Sequence, residues 1–230
     1  MALIASLRMV LAKPHRAGHP FIAAGAALAL AGLLTFHWLN WGLFWVGLVF
    51  TLFCLYFFRD PERVPPRRPH LAVAPADGHV CSIMLAPPPV GLAMGDEPRF
   101  RVSIFLSVLD VHVNRMPAGG TITRISYHKG SFLSANLDKA SDENERNAVA
   151  MLLPDGRTMA VVQIAGLIAR RILCDLRDGD VTVAGQRFGI IRFGSRTDLY
   201  LPLGVAPLVE LGQIMVGGET VIADLTPPAP

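Results

Sequence analysis

The chain has 230 residues, enough for one ordinary domain with an appendage, and 52% of them are hydrophobic. This composition excludes an intrinsically disordered protein and is unusually apolar for a purely soluble one. The formal charge is only +3, and no long basic run or basic-aromatic interleaving occurs, so we expect no nucleic-acid partner.

The N-terminal part of the chain is predicted to associate with a membrane. No Asp, Glu, Lys or Arg occurs from Phe21 to Phe58, which is too long for a single span of about 20 residues. A break at 37–42, which contains Trp, Asn and Gly, predicts two short helices, Phe21–Phe36 and Gly42–Phe58, joined by a tight turn. We therefore expect a membrane-associated helical hairpin over residues 1–58.

Positive charges flank this apolar stretch on both sides. Arg8, Lys13 and Arg16 precede it, and Arg59 and Arg63 follow it. Because basic residues collect on the cytoplasmic side, the sequence predicts a protein of the cell membrane whose C-terminal domain faces the cytoplasm. Each helix is close to the shortest length that spans a bilayer, so a spanning hairpin and a re-entrant or monotopic hairpin both stay open. The length of the stretch argues against a cleaved signal peptide.

A charged, Pro-rich linker is predicted over residues 59–69, because repeated prolines favour extended backbone. Residues 70–230 follow as short β-branched or alternating segments punctuated by Gly and Pro. The predicted strands are Leu71–Ala74, His79–Met84, Arg101–Leu106, Thr121–His128, Thr158–Ile164, Val181–Val183, Arg187–Phe193, Leu199–Leu201, Gly212–Val216 and Thr220–Ala223. We expect Val181–Val183 and Arg187–Phe193 to form a hairpin.

Two segments of this domain are helical candidates, Ala165–Leu173 and a stretch near Lys139–Asn147. Strands still dominate the pattern. The predicted fold class is therefore α+β, a β-rich antiparallel domain preceded by an N-terminal hydrophobic helical hairpin.

Four short segments contain residues that are suited to chemistry. Asp77 lies in a Pro-Ala-Asp-Gly turn, and His112 follows Asp110 by two positions, so that the two share a face of an extended chain. An imidazole can act as a general acid or base near neutral pH. Arg146 lies in an Asn-Glu-Arg-Asn run, and Ser195 lies in Phe-Gly-Ser-Arg. Taken singly, each segment is also explained by a turn, a hydrogen bond or a solvated helix start.

Two other kinds of site are not supported by the sequence. No third His or Cys lies at the spacing of metal ligands, so no metal site is predicted. A GxSxG nucleophile elbow is also missing.

Taken together and in this order, the segments resemble the phosphatidylserine decarboxylase family, in particular its shorter-chain branch. The matching motifs are Phe58–Arg63, Pro75–Gly78, Phe105–Pro117, Asn144–Asn147 and Phe193–Arg196. The longer-chain branch differs in having Leu-Gly-Ser-Thr at its processing site and a second His where this chain has Arg115. The group that assists self-cleavage in place of that His stays open.

The resemblance implies a precursor that cleaves itself between Gly194 and Ser195. The Ser195 hydroxyl would attack the Gly194 carbonyl, and elimination and hydrolysis would leave a covalent pyruvoyl group derived from Ser195. Asp77, with His112 as its partner, is implied to assist cleavage. The large chain, 1–194, and the small chain, 195–230, are expected to stay associated.

The resemblance further implies that phosphatidylserine in a lipid bilayer is the substrate and that phosphatidylethanolamine and CO2 are the products. The pyruvoyl group would form a Schiff base with the serine amine, and His112 would protonate the carbon that loses CO2. Arg115, Lys139 and Arg146 are candidates for the lipid phosphodiester. Two alternatives stay open: a pyruvoyl-dependent decarboxylase of a soluble amino acid, and a non-catalytic membrane-tethered domain that binds lipid.

Overall fold

A computed structural model describes residues 12–34, 38–68, 70–130, 144–166, 171–192 and 195–227. The chain divides into two compact units, residues 1–62 and 63–230. The boundary falls within the predicted linker.

The N-terminal unit consists of two helices that pack against each other, α1 (His19–Leu34) and α2 (Trp38–Phe57). Large apolar side chains such as Leu34, Trp45 and Val49 are exposed, as is typical of helices whose surroundings are lipid. Within the described residues one helix, Arg16–Leu34, is long and apolar enough to cross a membrane, and the described apolar part of α2 is shorter.

The second helix begins earlier than the sequence predicted. We expected Trp38–Trp41 to form part of a turn, whereas α2 already includes these residues. Trp and Asn have intermediate helix propensity, so neither prevents the helix from beginning earlier. His37, the rest of the predicted turn, lies outside the described residues, as do residues 35 and 36 of the first predicted helix.

Glycines allow α1 and α2 to pack closely. A Cβ atom at Gly47 would collide with the backbone of Ala29, and a Cβ atom at Gly25 would lie 2.5 Å from Oγ1 of Thr51. Small residues at such positions let two helix backbones approach each other, which is how helices associate in lipid. The hairpin therefore depends on the absence of side chains at these two glycines.

The second unit is built from thirteen described strands. They are β1 (Leu71–Val73), β2 (Gly78–Ala86), β3 (Arg99–Leu106), β4 (Val113–Arg115), β5 (Gly120–His128), β6 (Arg146–Leu152), β7 (Thr158–Ala165), β8 (Ile172–Cys174), β9 (Val181–Thr182), β10 (Arg187–Ile191), β11 (Ser195–Tyr200), β12 (Ile214–Met215) and β13 (Val221–Asp224). Together with the two helices they confirm the predicted α+β class.

The strands form three sheets, and every described pairing is antiparallel. The largest sheet has the order β12-β2-β3-β11-β7-β6-β5-β9, a second has the order β4-β10-β8, and β1 pairs with β13. The main core contains residues of all three sheets, among them Ile104, Val161, Phe188, Leu199 and Ile222. A smaller apolar cluster around Leu92 and Tyr200 covers the opposite face of the large sheet.

Three predictions about local structure are wrong. The hairpin between Val181–Val183 and Arg187–Phe193 does not form, because β9 pairs with β5 and β10 pairs with β4 and β8. Both helical candidates end in strands: Ile172 and Leu173 belong to β8, and Arg146 and Asn147 belong to β6. Strand partners that are distant in the sequence determine the secondary structure of these segments, because strand pairing overrides local propensity. Residues 139–143 and 167–170 of these candidates lie outside the described residues.

The packing of the helical hairpin gives a first prediction. Gly47→Leu should push α1 and α2 apart, because the new side chain has no space against Ala29. The distance between spin labels on the two helices, measured in the full-length protein in detergent, should increase. Gly42→Leu is the matched control, since no atom lies within 4 Å of a Cβ at that position. An unchanged distance in Gly47→Leu would contradict the described packing.

Candidate active site

Ser195 is the first residue of β11, a central strand of the large sheet. Its Cα pairs with Leu106 of β3 on one side and with Ala165 of β7 on the other. Ser195 is fully buried. Hydrogen-bonded neighbours on both sides therefore fix its position. Gly194, the other predicted cleavage-site residue, lies outside the described residues, as does Lys139.

The side chains of β11 alternate between the two faces of the sheet. Ser195 and Thr197 point toward the main core, whereas Arg196 and Asp198 point to the opposite face. Ser195 Oγ and Thr197 Oγ1 are buried and have no hydrogen-bond partner among the described residues. Buried hydroxyl groups without partners are uncommon, and a reacting group or ligand that completes the site is one explanation for them.

His112 is fully buried just before β4. Its Nδ1 lies 3.0 Å from the backbone carbonyl oxygen of Asp110. A carbonyl oxygen only accepts, so Nδ1 carries the proton in this contact, and Nε2 of the neutral ring has a lone pair. The Asp110 carboxylate accepts the N–H of Ser107 at 2.7 Å and so holds the loop that presents His112.

Backbone and apolar contacts connect His112 to the Ser195 end of the sheet. The N–H of Ile191 donates to the carbonyl oxygen of His112 at 3.3 Å. Ile191 also packs with Ala165 and Ile172 in one apolar cluster, and Ala165 is the β7 partner of Ser195. The fold thus brings His112 and Ser195 to the same end of the large sheet.

Three buried amide side chains form a hydrogen-bonded chain across this end. Asn147 Nδ2 donates to Gln163 Oε1 at 3.0 Å, and Gln163 Nε2 donates to Asn114 Oδ1 at 2.8 Å. Asn114 and Gln163 are missed by sequence reasoning, although a glutamine in the apolar β-branched run of β7 is a usable signal. Gln163 is the β7 partner of Thr197, so the chain lies on the Ser195 face.

Asp77 precedes β2 at the same end of the sheet. Its Oδ1 accepts the N–H of Gly217 at 2.8 Å, and its Oδ2 lies 2.7 Å from Arg63 Nη2. The adjacent segment lies beside β4, because the N–H of Arg115 donates to the carbonyl oxygen of Pro75 at 2.8 Å. Since β2 is two strands from β11, Asp77 is about 10 Å from Ser195 along the sheet.

Of the predicted phosphodiester ligands, the two that the structure describes, Arg115 and Arg146, are not brought together. Arg115 is buried, and its Nη1 donates to the Gly185 carbonyl oxygen at 3.0 Å. On β4 it alternates with Asn114, so it points away from the face that carries Ser195. Arg146 lies on the opposite face of the large sheet and lines a cavity of about 350 Å³.

Two other arginines lie close to Ser195. The N–H of Arg192 donates to the carbonyl oxygen of Arg171 at 3.3 Å. Burial lowers the pKa of the Arg192 guanidinium, and the charge of Arg171 lowers it further. The sequence signal for Arg171 is its place beside Arg170, inside the helical candidate Ala165–Leu173. The buried carboxylate of Glu145 lies beside them, because its Oε1 accepts the N–H of Ile172 at 3.2 Å.

The face opposite Ser195 contains a buried ion pair. Arg196 Nε lies 2.9 Å from Asp198 Oδ1, and Arg196 Nη2 donates to Asp198 Oδ2 at 3.0 Å. Both side chains are 1% exposed. Burial, followed by the Asp198 charge, raises the pKa of Tyr200, so this phenol stays neutral. The two-point pair anchors the residue that directly follows Ser195.

Comparison with known proteins gives a consistent result. A family model described as phosphatidylserine decarboxylase matches residues 50–223. A phosphatidylserine decarboxylase proenzyme of Granulibacter bethesdensis is 66% identical over 227 residues, which cover 99% of this chain and 91% of the relative. The proenzymes of Gluconacetobacter diazotrophicus and Gluconobacter oxydans are 66% and 60% identical over 226 residues, 98% of this chain and all of each relative.

The ion pair behind Ser195 gives a second prediction. Asp198→Asn, made in a Ser195→Ala background to keep one chain, should lower the free energy of unfolding by about 3–5 kcal/mol, because it leaves a buried arginine uncompensated. Equilibrium urea unfolding followed by circular dichroism measures this loss.

The chain offers a matched control for that change. Asp155 and Arg157 form a pair with the same spacing, but their side chains are 28% and 24% exposed. Asp155→Asn should therefore cost only about 0–1 kcal/mol. Equal losses in the two variants would contradict the anchoring role of Asp198.

Proposed function

The chain belongs to the phosphatidylserine decarboxylase family, as its motifs predicted, and from this premise we propose that it decarboxylates phosphatidylserine to phosphatidylethanolamine. We propose further that it is made as a precursor and that it generates its own pyruvoyl group at Ser195. The relatives named as proenzymes support a processed precursor.

The observation that carries this proposal is the setting of Ser195. Its hydroxyl is fully buried, has no hydrogen-bond partner in the described part of the chain, and begins a strand paired on both sides. An ordinary structural serine at such a position would be expected to have a partner. The residue that would form a pyruvoyl group is therefore held rigidly at a dry, polar end of the sheet, and the site fits that group.

Self-cleavage requires Ser195 Oγ to bond to the carbonyl carbon of Gly194 while the bond from that carbon to the Ser195 nitrogen breaks. The hydroxyl proton leaves to a base, and the nitrogen takes up a proton. Elimination then frees the upstream chain as a carboxylate, and hydrolysis releases ammonia. Because β11 pairs along its whole length with β3 and β7, the small chain would stay in the sheet.

The pyruvoyl group supplies a ketone that combines with the substrate amine and accepts the electron pair released when CO2 departs. His112 would hold the proton that the reacting carbon requires. With Nδ1 directed at the Asp110 carbonyl oxygen, Nε2 is the ring nitrogen that would take up and donate that proton. Because His112 is buried, water has little access to the site and competes little with His112 as the proton donor.

The cationic groups near Ser195 support an anionic, lipid-borne substrate. Arg171 and Arg192 flank β8 and β10 near Ser195 and would suit a phosphodiester, whereas the sequence candidates Arg115 and Arg146 point away from Ser195. The apolar helix Arg16–Leu34 supports membrane association. We propose that the hairpin keeps the catalytic domain at the cytoplasmic face of the cell membrane, where basic residues flank the apolar stretch.

Processing at Ser195 gives a third prediction. The wild-type protein should separate on a denaturing gel into chains 1–194 and 195–230, and its small chain should have the intact mass of a pyruvoyl N-terminus. Ser195→Ala should remain a single chain and should release no CO2 from phosphatidylserine, because both steps start from the Ser195 hydroxyl.

The same preparation tests the class of substrate. CO2 release from phosphatidylserine vesicles should greatly exceed release from free serine. Preference for free serine would support a decarboxylase of soluble amino acids instead. A wild-type chain that stays intact in folded, lipid-binding material would favour the non-catalytic alternative.

The separate roles of His112 and Asp77 give a fourth prediction. His112→Ala should lower the rate of CO2 release about 10²–10⁴-fold, the usual contribution of a general acid, and should affect cleavage less. His79→Ala, which removes an exposed histidine of β2, is the control and should leave both rates unchanged. If cleaved His112→Ala released CO2 at the wild-type rate, His112 would not be the proton donor.

Asp77→Ala should instead slow cleavage. Asp77→Asn separates charge from structure, because an amide oxygen can still accept the Gly217 N–H while the ion pair to Arg63 is lost. If the carboxylate acts in cleavage, both variants should accumulate the precursor. Cleavage of Asp77→Asn at the wild-type rate would show that only the hydrogen bond matters.

A further inference from the structure

We propose that Arg63 is a positioning residue for self-cleavage, because its guanidinium fixes the orientation of the Asp77 carboxylate. The inference rests on the proposed function, since it adds a residue to the processing step that Asp77 is proposed to assist. Arg63 lies in the Pro-rich linker that follows the helical hairpin, and it begins the second compact unit. Part of the linker thereby becomes part of the processing machinery.

The Arg63 side chain is paired with Asp77. Its Nη2 donates to Asp77 Oδ2 at 2.7 Å, and the two side chains are only 4% and 17% exposed. Arg63 Nε is buried and has no acceptor within the described residues. Removing a guanidinium from water is costly unless a partner compensates its charge, and here the Asp77 carboxylate does so. Arg63 is therefore committed to Asp77.

The other oxygen of the Asp77 carboxylate is held by a segment near the end of the chain. Oδ1 accepts the N–H of Gly217 at 2.8 Å. A Cβ atom at Gly217 would lie 3.0 Å from the backbone of Ala76, so this turn packs directly against the Asp77 segment. Each carboxylate oxygen thus has its own donor, and rotation of the carboxylate would break one or both contacts. After cleavage, Arg63 would belong to the large chain and Gly217 to the small one.

The residues that follow Arg63 are themselves docked on the catalytic domain. The N–H of Val64 donates to Glu219 Oε1 at 2.9 Å. A Cβ atom at Gly185 would collide with the ring of Pro65. These contacts fix the backbone next to Arg63, so the arginine is held at its base as well as at its guanidinium. They also attach the linker to the domain without help from the Arg63 side chain.

Asp77 lies at the level of Ser195 in the large sheet. His79 of β2 pairs with Phe105 of β3, and Phe105 pairs with Arg196 of β11. The next row of the sheet therefore contains Gly78 and Ser195, and Asp77 directly precedes that row. Since two strand spacings amount to about 10 Å, the carboxylate acts on Ser195 through an intervening group. Such a relay depends on the direction of each member, which is what Arg63 controls for Asp77.

The test is the rate at which freshly made full-length precursor converts into two chains. Arg63→Met keeps the length of the side chain but removes its charge and donors, so cleavage should slow about 10²-fold, the cost of misplacing a catalytic group by about 1 Å. Arg63→Lys keeps one charged donor for Asp77 Oδ2 and should recover most of the rate. Arg67→Met, at an exposed arginine of the same linker, is the matched control and should cleave like wild type.

A double-mutant cycle shows whether Arg63 acts through Asp77. Arg63→Met combined with Asp77→Asn should cleave no more slowly than Asp77→Asn alone, because the carboxylate that Arg63 orients is already gone. Further slowing in the double variant would show that Arg63 acts by another route and would overturn the proposal.

Turnover separates positioning from a general structural role. Once processed, Arg63→Met should release CO2 from phosphatidylserine at the wild-type rate per pyruvoyl group, since Asp77 is proposed to assist cleavage and not decarboxylation. Loss of turnover in proportion to the loss of cleavage would indicate damage to the whole domain and would overturn the proposal.

The comparison uses variants whose melting temperature is close to that of wild type. If Arg63→Met does not fold, Arg63→Gln replaces it, because this change also removes the charge. A wild-type cleavage rate in the folded variant would overturn the proposal. Failure of wild type itself to cleave would refute the proposed function, whereas normal cleavage of Arg63→Met beside slowed Asp77→Asn would refute only this inference.

Discussion

The antiparallel pairing of β11 with β3 and β7 is the constraint on which the site depends. Ser195 starts this strand, and both of its neighbours are ladder partners with their own partners beyond them. A strand that is held on both edges cannot move at one end without breaking hydrogen bonds along its length. Rigidity at Ser195 is therefore a property of the whole sheet and not of a local turn.

The two faces of β11 differ in how their buried polar side chains are paired. On one face Arg196 and Asp198 form a two-point ion pair beside Ser103, whose buried hydroxyl has no partner among the described residues. The face with Ser195 and Thr197 leaves buried hydroxyls without partners in the described residues. Unsatisfied polar groups destabilise a fold, so their persistence next to a well-satisfied pair is consistent with a site that gives up stability for reactivity.

The amide chain extends this pattern beyond the strand itself. Asn147, Gln163 and Asn114 come from three different strands, β6, β7 and β4, and they join the large sheet to the smaller one. Each amide fixes the orientation of the next one, so the order of donors and acceptors is the same from Asn147 through Gln163 to Asn114. Directed networks of this kind rigidify a buried polar site, and Asn114 Nδ2 at the end of this one has no acceptor among the described residues.

Much of the architecture followed from the amino-acid sequence. The uncharged stretch from Phe21 to Phe58 predicted two apolar helices, alternation predicted most strands, and the ordered motifs predicted the family. These are local properties, set by hydropathy, by backbone sterics and by short motifs. Ser195, His112 and Asp77 were named on the same basis, and their roles stay predictions.

Only the tertiary structure decided which polar residues meet. Asn114 and Gln163 are 49 positions apart and carry no local signal that they bond. The segment from Arg146 to Asn147 looked like a helix start and became a strand, because β5 and β7 supply partners on both sides. Pairing between distant segments determines register, and register determines the face on which each side chain lies. For that reason the sequence could identify Arg115 and Arg146 as candidate ligands but could not show that both point away from Ser195.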